Sequence, residues 1–303
     1  MKRTLLSVAL MAASLASYPL LAQPGATLAV AAASVAVPDP ASQLEEAAQL
    51  FRAGDLVGLA QVLVPPSQWE MMKIAYEVKR AQPTTEEERA EFTEAIQRAI
   101  APDAVDKLMA EIEPKLVEAR PQAPGALMMA FGAMQVAITS PESELTEAQR
   151  AALQGALPGI QQWASSTDFL DSGSLRRALS LVTDAARRTG IDDIDDLKAM
   201  PLEAALDRAA PVFAAAKDAV RLYGIDLDAV ADSLQVEVLE IEGDTARVRT
   251  TVTLFDAPLF AEHDLVLVEG RWIGKQARIH FDDSDLDPEA LDVDVDIEVD
   301  AQG

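Results

Sequence analysis

The chain has 303 residues, 50% of them hydrophobic and 25% charged, with a formal charge of −25, 5% aromatics and no cysteine. That is enough apolar material for about two domains with real cores. The charge excludes nucleic-acid binding through phosphate neutralisation, which needs a basic face. The lack of thiols excludes disulfides, thiol catalysis, thiolate metal sites, iron–sulfur clusters and lipid attachment at a cysteine.

Lys2 and Arg3 precede an uncharged stretch from Thr4 to Val37, whose first part (Leu5, Leu6, Val8, Leu10, Met11, Leu15) is a short apolar run. Residues 1–22 read as a secretory signal peptide. Cleavage is expected after Ala22, because Pro19 breaks the apolar helix just upstream, with Ala29, Ala31 and Ala36 as competing sites. Cleavage removes two basic residues and no acid, which leaves 23 basic residues against 50 acidic ones, a charge of −27. The apolar run is marginal against the ~20 residues a membrane span needs. The expected product is periplasmic or secreted, without a lipid anchor and without a stable span. Residues 23–41 read as a linker closed by Val37-Pro38-Asp39-Pro40, where the prolines forbid regular structure.

Residues 42–200 carry helix signals throughout. Four pairs have capping-box spacing: Ser42 with Glu45, Ser67 with Glu70, Thr84 with Glu87, and Thr146 with Gln149. Ser174 is placed to cap a helix beginning near Leu175. Pro102, Pro121 or Pro124, Pro201 and Pro211 fall where further helices could begin, since a missing N–H costs least there. Eight to ten helices of about 10 to 18 residues are expected.

One of these stands out. Ala126 to Ile138 contains Leu127, Met128, Met129, Phe131, Met134, Val136 and Ile138, with Gln135 its only polar side chain. It is apolar all round and too short to span a bilayer, so it should be buried or line an apolar groove. Met128, Met129 and Met134 could form an adaptable apolar surface, or, as a sharper variant, a Cu(I) site.

From Leu234 to Phe281 the period changes to two and the chain is rich in Val, Ile, Leu and Thr, so residues 201–281 read as an α+β unit with a four-stranded antiparallel meander. A two-residue turn at Gly243-Asp244 sets Leu239 opposite Val248, Glu240 opposite Arg247 and Ile241 opposite Ala246. A second turn at Glu269-Gly270 sets Trp272 opposite Leu267. One face is then apolar and the other charge-paired. The same register puts His263 opposite Gln276 and His280 opposite Leu259. The two histidines, the only ones in the chain, then lie about 13 Å apart, too far to share a metal.

Residues 282–303 hold only acids among their charged residues, and Val293, Val295, Ile297 and Val299 alternate with them. This is either an acidic tail or a strand that docks on a sheet edge. Asp283, Asp285 and Asp287 are spaced like the opening of a calcium loop, but Pro288 stands where that loop needs glycine, so only weak divalent binding is expected. No Gly-x-Ser-x-Gly elbow and no Ser-x-x-Lys pair exists, which removes those two hydrolase arrangements.

Two segments carry a family resemblance: Leu239-Glu240-Ile241-Glu242-Gly243-Asp244-Thr245-Ala246-Arg247-Val248 and Leu265-Val266-Leu267-Val268-Glu269-Gly270-Arg271-Trp272-Ile273. With these, residues 201–276 resemble secreted NTF2-like domains, in which helices precede a curved antiparallel sheet. The resemblance implies that fold and no particular activity, because the family hosts catalysis, ligand capture and protein binding alike.

Together these readings give an α+β protein with a largely helical first part. The function expected is non-enzymatic binding of a partner protein or an apolar small molecule, with no cofactor implied and oligomeric state open. The candidate site is the groove between helices and sheet, lined by Phe255, Leu259, Phe260 and Trp272, each of which has a place in the sheet core as its alternative role, with Met128, Met129 and Met134 as a second apolar surface. The rival readings are a periplasmic hydrolase using an unassigned carboxylate pair, and a divalent-cation or basic-partner module in the acidic tail.

Overall fold

The computed structural model describes residues 39–140 and 147–275. Within them the order is α1 (Pro40–Ala53), α2 (Leu56–Leu63), α3 (Pro66–Ala81), α4 (Glu86–Ile100), α5 (Ala104–Ala119), α6 (Ala123–Thr139), α7 (Glu147–Ser166), α8 (Ser172–Thr189), α9 (Ile194–Lys198), α10 (Leu202–Arg221), α11 (Leu227–Asp232), then β1 (Gln235–Glu242), β2 (Thr245–Leu254), β3 (Ala257–Val268) and β4 (Arg271–Gly274). This is an α+β arrangement, helices first and a small antiparallel sheet last. Eleven helices of 5 to 20 residues replace the eight to ten expected. Two are single short segments, too brief to leave a periodic pattern.

Several helix starts differ from the sequence reading by one to three residues, for one physical reason: more than one short polar side chain lies within reach of the free N–H groups. Asp39, not Ser42, caps α1 by accepting from the Ser42 N–H at 3.2 Å, and Pro40 opens the helix inside the expected linker. Thr85 and Glu88, one step beyond Thr84 and Glu87, form the reciprocal box of α4. Asp171, not Ser174, caps α8. α3 starts on Pro65-Pro66, and its Ser67 N–H is taken at 2.8 Å by Glu269, a carboxylate from the far end of the chain. Pro211 lies inside α10 rather than at a start, as Pro114 and Pro158 lie inside α5 and α7. Packing of α10 along α8 offsets the local break. Thr146, Gln276, His280, residues 1–38 and residues 282–303 lie outside the described residues.

The sheet is a meander in the order β1-β2-β3-β4. Both expected turns are present, with Glu240 opposite Arg247, Ile241 opposite Ala246 and Leu267 opposite Trp272. Leu239 is the exception. It sits in a bulge, and Val238 takes the place opposite Val248. On the outer face Arg249 bridges Glu237 at 3.1 Å and Glu262 at 2.8 Å, and Arg247 pairs with Asp264 at 3.3 Å.

The inner face carries the core. Ala246, Val248, Leu265 and Trp272 are buried together, covered by Leu44 of α1 and flanked by Val236, Val238 and Leu267. Gln43, one residue before Leu44, is 1% exposed. Its amide donates to the carbonyls of Trp272 (2.7 Å) and Val62 (3.0 Å) and accepts from the Trp272 N–H (2.8 Å). A single side chain therefore satisfies main-chain groups of the edge strand β4 and of α2. Lys217 of α10 does the same for the C-terminal end of α1. It is 5% exposed and donates to the carbonyls of Phe51 (3.1 Å) and Arg52 (2.8 Å) and to Asp228 (2.6 Å), with its ammonium over the Phe51 and Phe213 rings. The N-terminal helices α1 and α2, together with α7 and α11, are thus the ones that seat on the C-terminal sheet.

Candidate functional site

Two depressions flank the C-terminal end of α7 and the segment that follows it. What places them is an aromatic cluster. Trp163 of α7 stacks on Phe255 (4.8 Å between centroids, 27°), meets Phe169 edge-on (5.1 Å) and donates from Nε1 to the Tyr223 carbonyl at 2.6 Å. Phe169 in turn lies parallel to Tyr223 at 6.3 Å. The cluster ties α7, the α7–α8 connection, the end of α10 and the β2–β3 turn to one another.

The β2–β3 turn is built without glycine. Phe255 and Asp256 both have positive φ, 52° and 58°, a conformation that costs an L-residue about 1 to 2 kcal/mol. Stacking on Trp163 holds Phe255 there. α7 can approach this turn only because residue 159 is glycine: a Cβ at that position would lie 2.8 Å from the Phe255 Cβ and closer still to its carbonyl oxygen. A Cβ at Gly224, whose φ is 84°, would likewise lie 3.2 Å from the Trp163 ring.

The first depression, about 760 Å³, opens between α7, α11 and this turn and is lined by Gln162, Trp163, Thr167, Asp226, Ser233 and Phe255 among others. Two of its polar groups, Asp226 and Ser233, are engaged within the fold. Asp226 caps α11 and pairs with Arg221, which holds its carboxyl below the usual range. Ser233 accepts from the Thr253 N–H and donates to the Val230 carbonyl.

The second depression, about 790 Å³, lies between α6 and residues 165–170. Its wall is Pro124, Leu127, Met128, Phe131, Phe169 and Leu170, with little polar surface. Arg120 stands at its rim, donating to Asp168 at 3.1 Å and to the Leu170 carbonyl at 2.8 Å. Such a volume falls in the usual range for small-molecule pockets, ~300 to 1,000 Å³.

The residues singled out from sequence scatter accordingly. Phe255 lines the first depression and Met128 the second. Trp272 does not line a groove; it is 5% exposed at the centre of the sheet core, because α1 covers the face that was expected to be concave and open. Leu259 pairs with Val252, while Phe260 lies on the opposite, charged face with the Arg249 guanidinium 6.0 Å from its ring. These two line neither depression. Leu127, Phe169, Leu170 and Trp163 were missed. The signal for Leu127 was its place in the apolar helix, whereas Trp163 and Phe169 are brought together only by tertiary contacts.

α6 itself is not buried. Leu127, Phe131 and Met134 are half-buried and Ile138 is buried, a stripe at spacings of four, three and four that faces inward. Met128, Met129 and Val136 are 76%, 73% and 66% exposed. Met134 belongs to the inward stripe and Met128 and Met129 to the outer surface, so the three thioethers do not share one face of the helix.

Catalytic and metal chemistry finds few parts here. Among the described residues no group of three or more His, Asp or Glu side chains is placed to hold a metal. Asp283, Asp285 and Asp287 lie outside them. The carboxyls that the fold perturbs, Glu88, Asp103, Asp171, Asp195 and Asp226, are all held below their ordinary range by caps or by arginine and lysine partners. That is the opposite of what a general acid requires. Among the described residues no helix is long and apolar enough to cross a membrane. Comparison with family models, with curated proteins and with solved structures found no match to this chain.

Proposed function

We propose that this is an exported, non-enzymatic binding protein that takes an apolar small molecule, or an apolar side chain of a partner protein, into the groove between α6 and residues 165–170. The observation that carries this reading is the groove wall: six apolar side chains around about 790 Å³, with one tethered guanidinium at the rim. The resemblance of residues 201–276 to NTF2-like domains is compatible with it, since α10 and α11 precede the meander, but it supplies no ligand.

Titration with the apolar fluorophore N-phenyl-1-naphthylamine tests the site. Ala130 lines the groove from an exposed helical position, so Ala130→Trp should fill it and weaken probe binding about tenfold or more without unfolding the chain. Equal binding by the variant and the parent protein would exclude this groove. Export is tested separately by N-terminal sequencing of the protein recovered from a periplasm. Recovery of a chain still beginning at Met1 would exclude signal cleavage.

A further inference from the structure

The outer face of α6 is a separate surface from the groove, and it has a pattern of its own. Gly125, Met129, Gly132 and Val136 are all exposed and follow one another at spacings of four, three and four, the repeat of a helix seam that packs on another helix. A side chain added at Gly125 or Gly132 would meet nothing within 4 Å. α6 therefore has two opposite seams: Leu127, Phe131, Met134 and Ile138 turn inward, and among the described residues the outer seam faces no other helix.

The outer seam is complementary to itself. When two copies of α6 lie antiparallel about a two-fold axis at the midpoint between Ala130 and Phe131, Met129 of each meets Gly132 of the other, and Val136 of each meets Gly125 of the other. Every large side chain then falls on a glycine, where the backbones can approach closely, and each contact occurs twice, as an isologous interface demands. Electrostatics select the same face. The chain carries a charge of −25, so most approaches between two copies bring acidic surface together, while the 17 residues of α6 hold no charged side chain. We infer that the outer face of α6 is a homodimer interface, formed by antiparallel packing of α6 against α6 of a second copy.

The seam, from Gly125 to Val136, is about 17 Å long, one helix wide, and so at the small end of specific interfaces. The dimer should accordingly dissociate in the range of roughly micromolar to tens of micromolar. It should strengthen with salt, because screening relieves the repulsion between two acidic chains.

Sedimentation velocity across that concentration range, at low and high salt, gives the first reading. The absence of cysteine allows a second that fixes register. Mixing Met129→Cys protein with Gly132→Cys protein should give a disulfide-linked dimer under mild oxidation, while Gly125→Cys mixed with Met129→Cys, which the two-fold does not bring together, should give far less. Gly132→Leu fills the notch that receives Met129 and should abolish the dimer, while leaving the monomer folded, at least as stable as the parent monomer, and its binding of the apolar probe in the groove unchanged. A chain that stays monomeric throughout, or cross-links of equal yield in both mixtures, would overturn the inference. So would a monomer that floats with phospholipid vesicles through this face, which would make a lipid surface its partner instead.

Discussion

α1 and α6 are helices of similar length, 14 and 17 residues, that meet the rest of the chain in opposite ways. α1 has a polar glutamine at a fully buried position and is enclosed by the sheet, α2 and α11. α6 has almost no polar side chain, yet Met128 and Met129 are largely exposed. Apolar content alone therefore does not decide which helix is central. What makes α1 central is that Gln43 supplies hydrogen bonds that the edge strand and α2 lack, and Lys217 supplies those that its own last carbonyls lack. Buried polar groups that are fully partnered fix a unique arrangement, and losing one partner leaves the others desolvated.

The sharpest way to break this contrast is Gln43→Leu, which keeps the volume and removes three buried hydrogen bonds. A loss of about 3 to 5 kcal/mol in unfolding free energy is expected, since three hydrogen bonds to buried main-chain groups are lost. Urea denaturation measures it, and a loss below about 1 kcal/mol would mean that water replaces the amide. Lys217→Met should cost somewhat less, about 2 to 4 kcal/mol. It removes the ammonium from the carbonyls of Phe51, which keeps the Gly54 N–H at 3.2 Å, and of Arg52, and leaves the Asp228 carboxylate with only its 2.9 Å contact to Arg221.

Gly159→Ala probes the boundary between the two regions. A Cβ there collides with the main chain of Phe255, so either α7 or the β2–β3 turn must shift, at about 2 kcal/mol. Because the shift separates Trp163 from Phe255, tryptophan fluorescence should change along with the denaturation midpoint. Stability falling while the emission stays constant would place the relaxation elsewhere.

Acid should act on the α1 side and leave α6 untouched. Asp226 caps α11, which packs on α1, and the Arg221 guanidinium beside it holds its carboxyl below the usual value of 3.8. A carboxyl whose pKa is lower folded than unfolded adds stability that is complete above the unfolded pKa and is lost as pH falls through the folded one. Stability should therefore decline below about pH 4, and Asp226→Asn should flatten that limb. α6 carries no titratable side chain and contributes nothing to it.

The same contrast explains what could be read from the sequence. The sheet was legible because alternation and two turns act over a few residues: Gly243-Asp244 and Glu269-Gly270 sufficed to place Ile241, Glu240 and Trp272 against their partners. The bulge at Leu239 was not, since an extra residue leaves the alternation on both sides intact. Gln43 and Trp272 are 229 positions apart, and nothing local marks a glutamine that will complete a strand edge. α6 failed for another reason. A helix that is apolar on every face has no preferred side, so its sequence could not say that Leu127 and Phe131 turn inward while Met129 and Val136 turn out. That this helix should be buried or line an apolar groove was legible from its composition, but the far wall of the groove was not, because Phe169 and Leu170 come from the segment between α7 and α8.

The smallest expected effect is the most discriminating. If α1 is held by partnered polar groups and the outer face of α6 by nothing within its own chain, a polar residue placed on that face should cost the isolated chain almost nothing. Met129 is 73% exposed, so Met129→Gln removes little buried area in the monomer. Glutamine is also nearly as good a helix former as methionine. At a concentration where the chain is monomeric, the unfolding free energy should stay within about 0.5 kcal/mol of the parent. At high concentration the parent alone should gain stability, because dimer formation favours the folded state by mass action. A difference between the two proteins that grows with concentration ties the exposed methionine to a partner, whereas a large difference at every concentration would mean that residue 129 is already covered within its own chain.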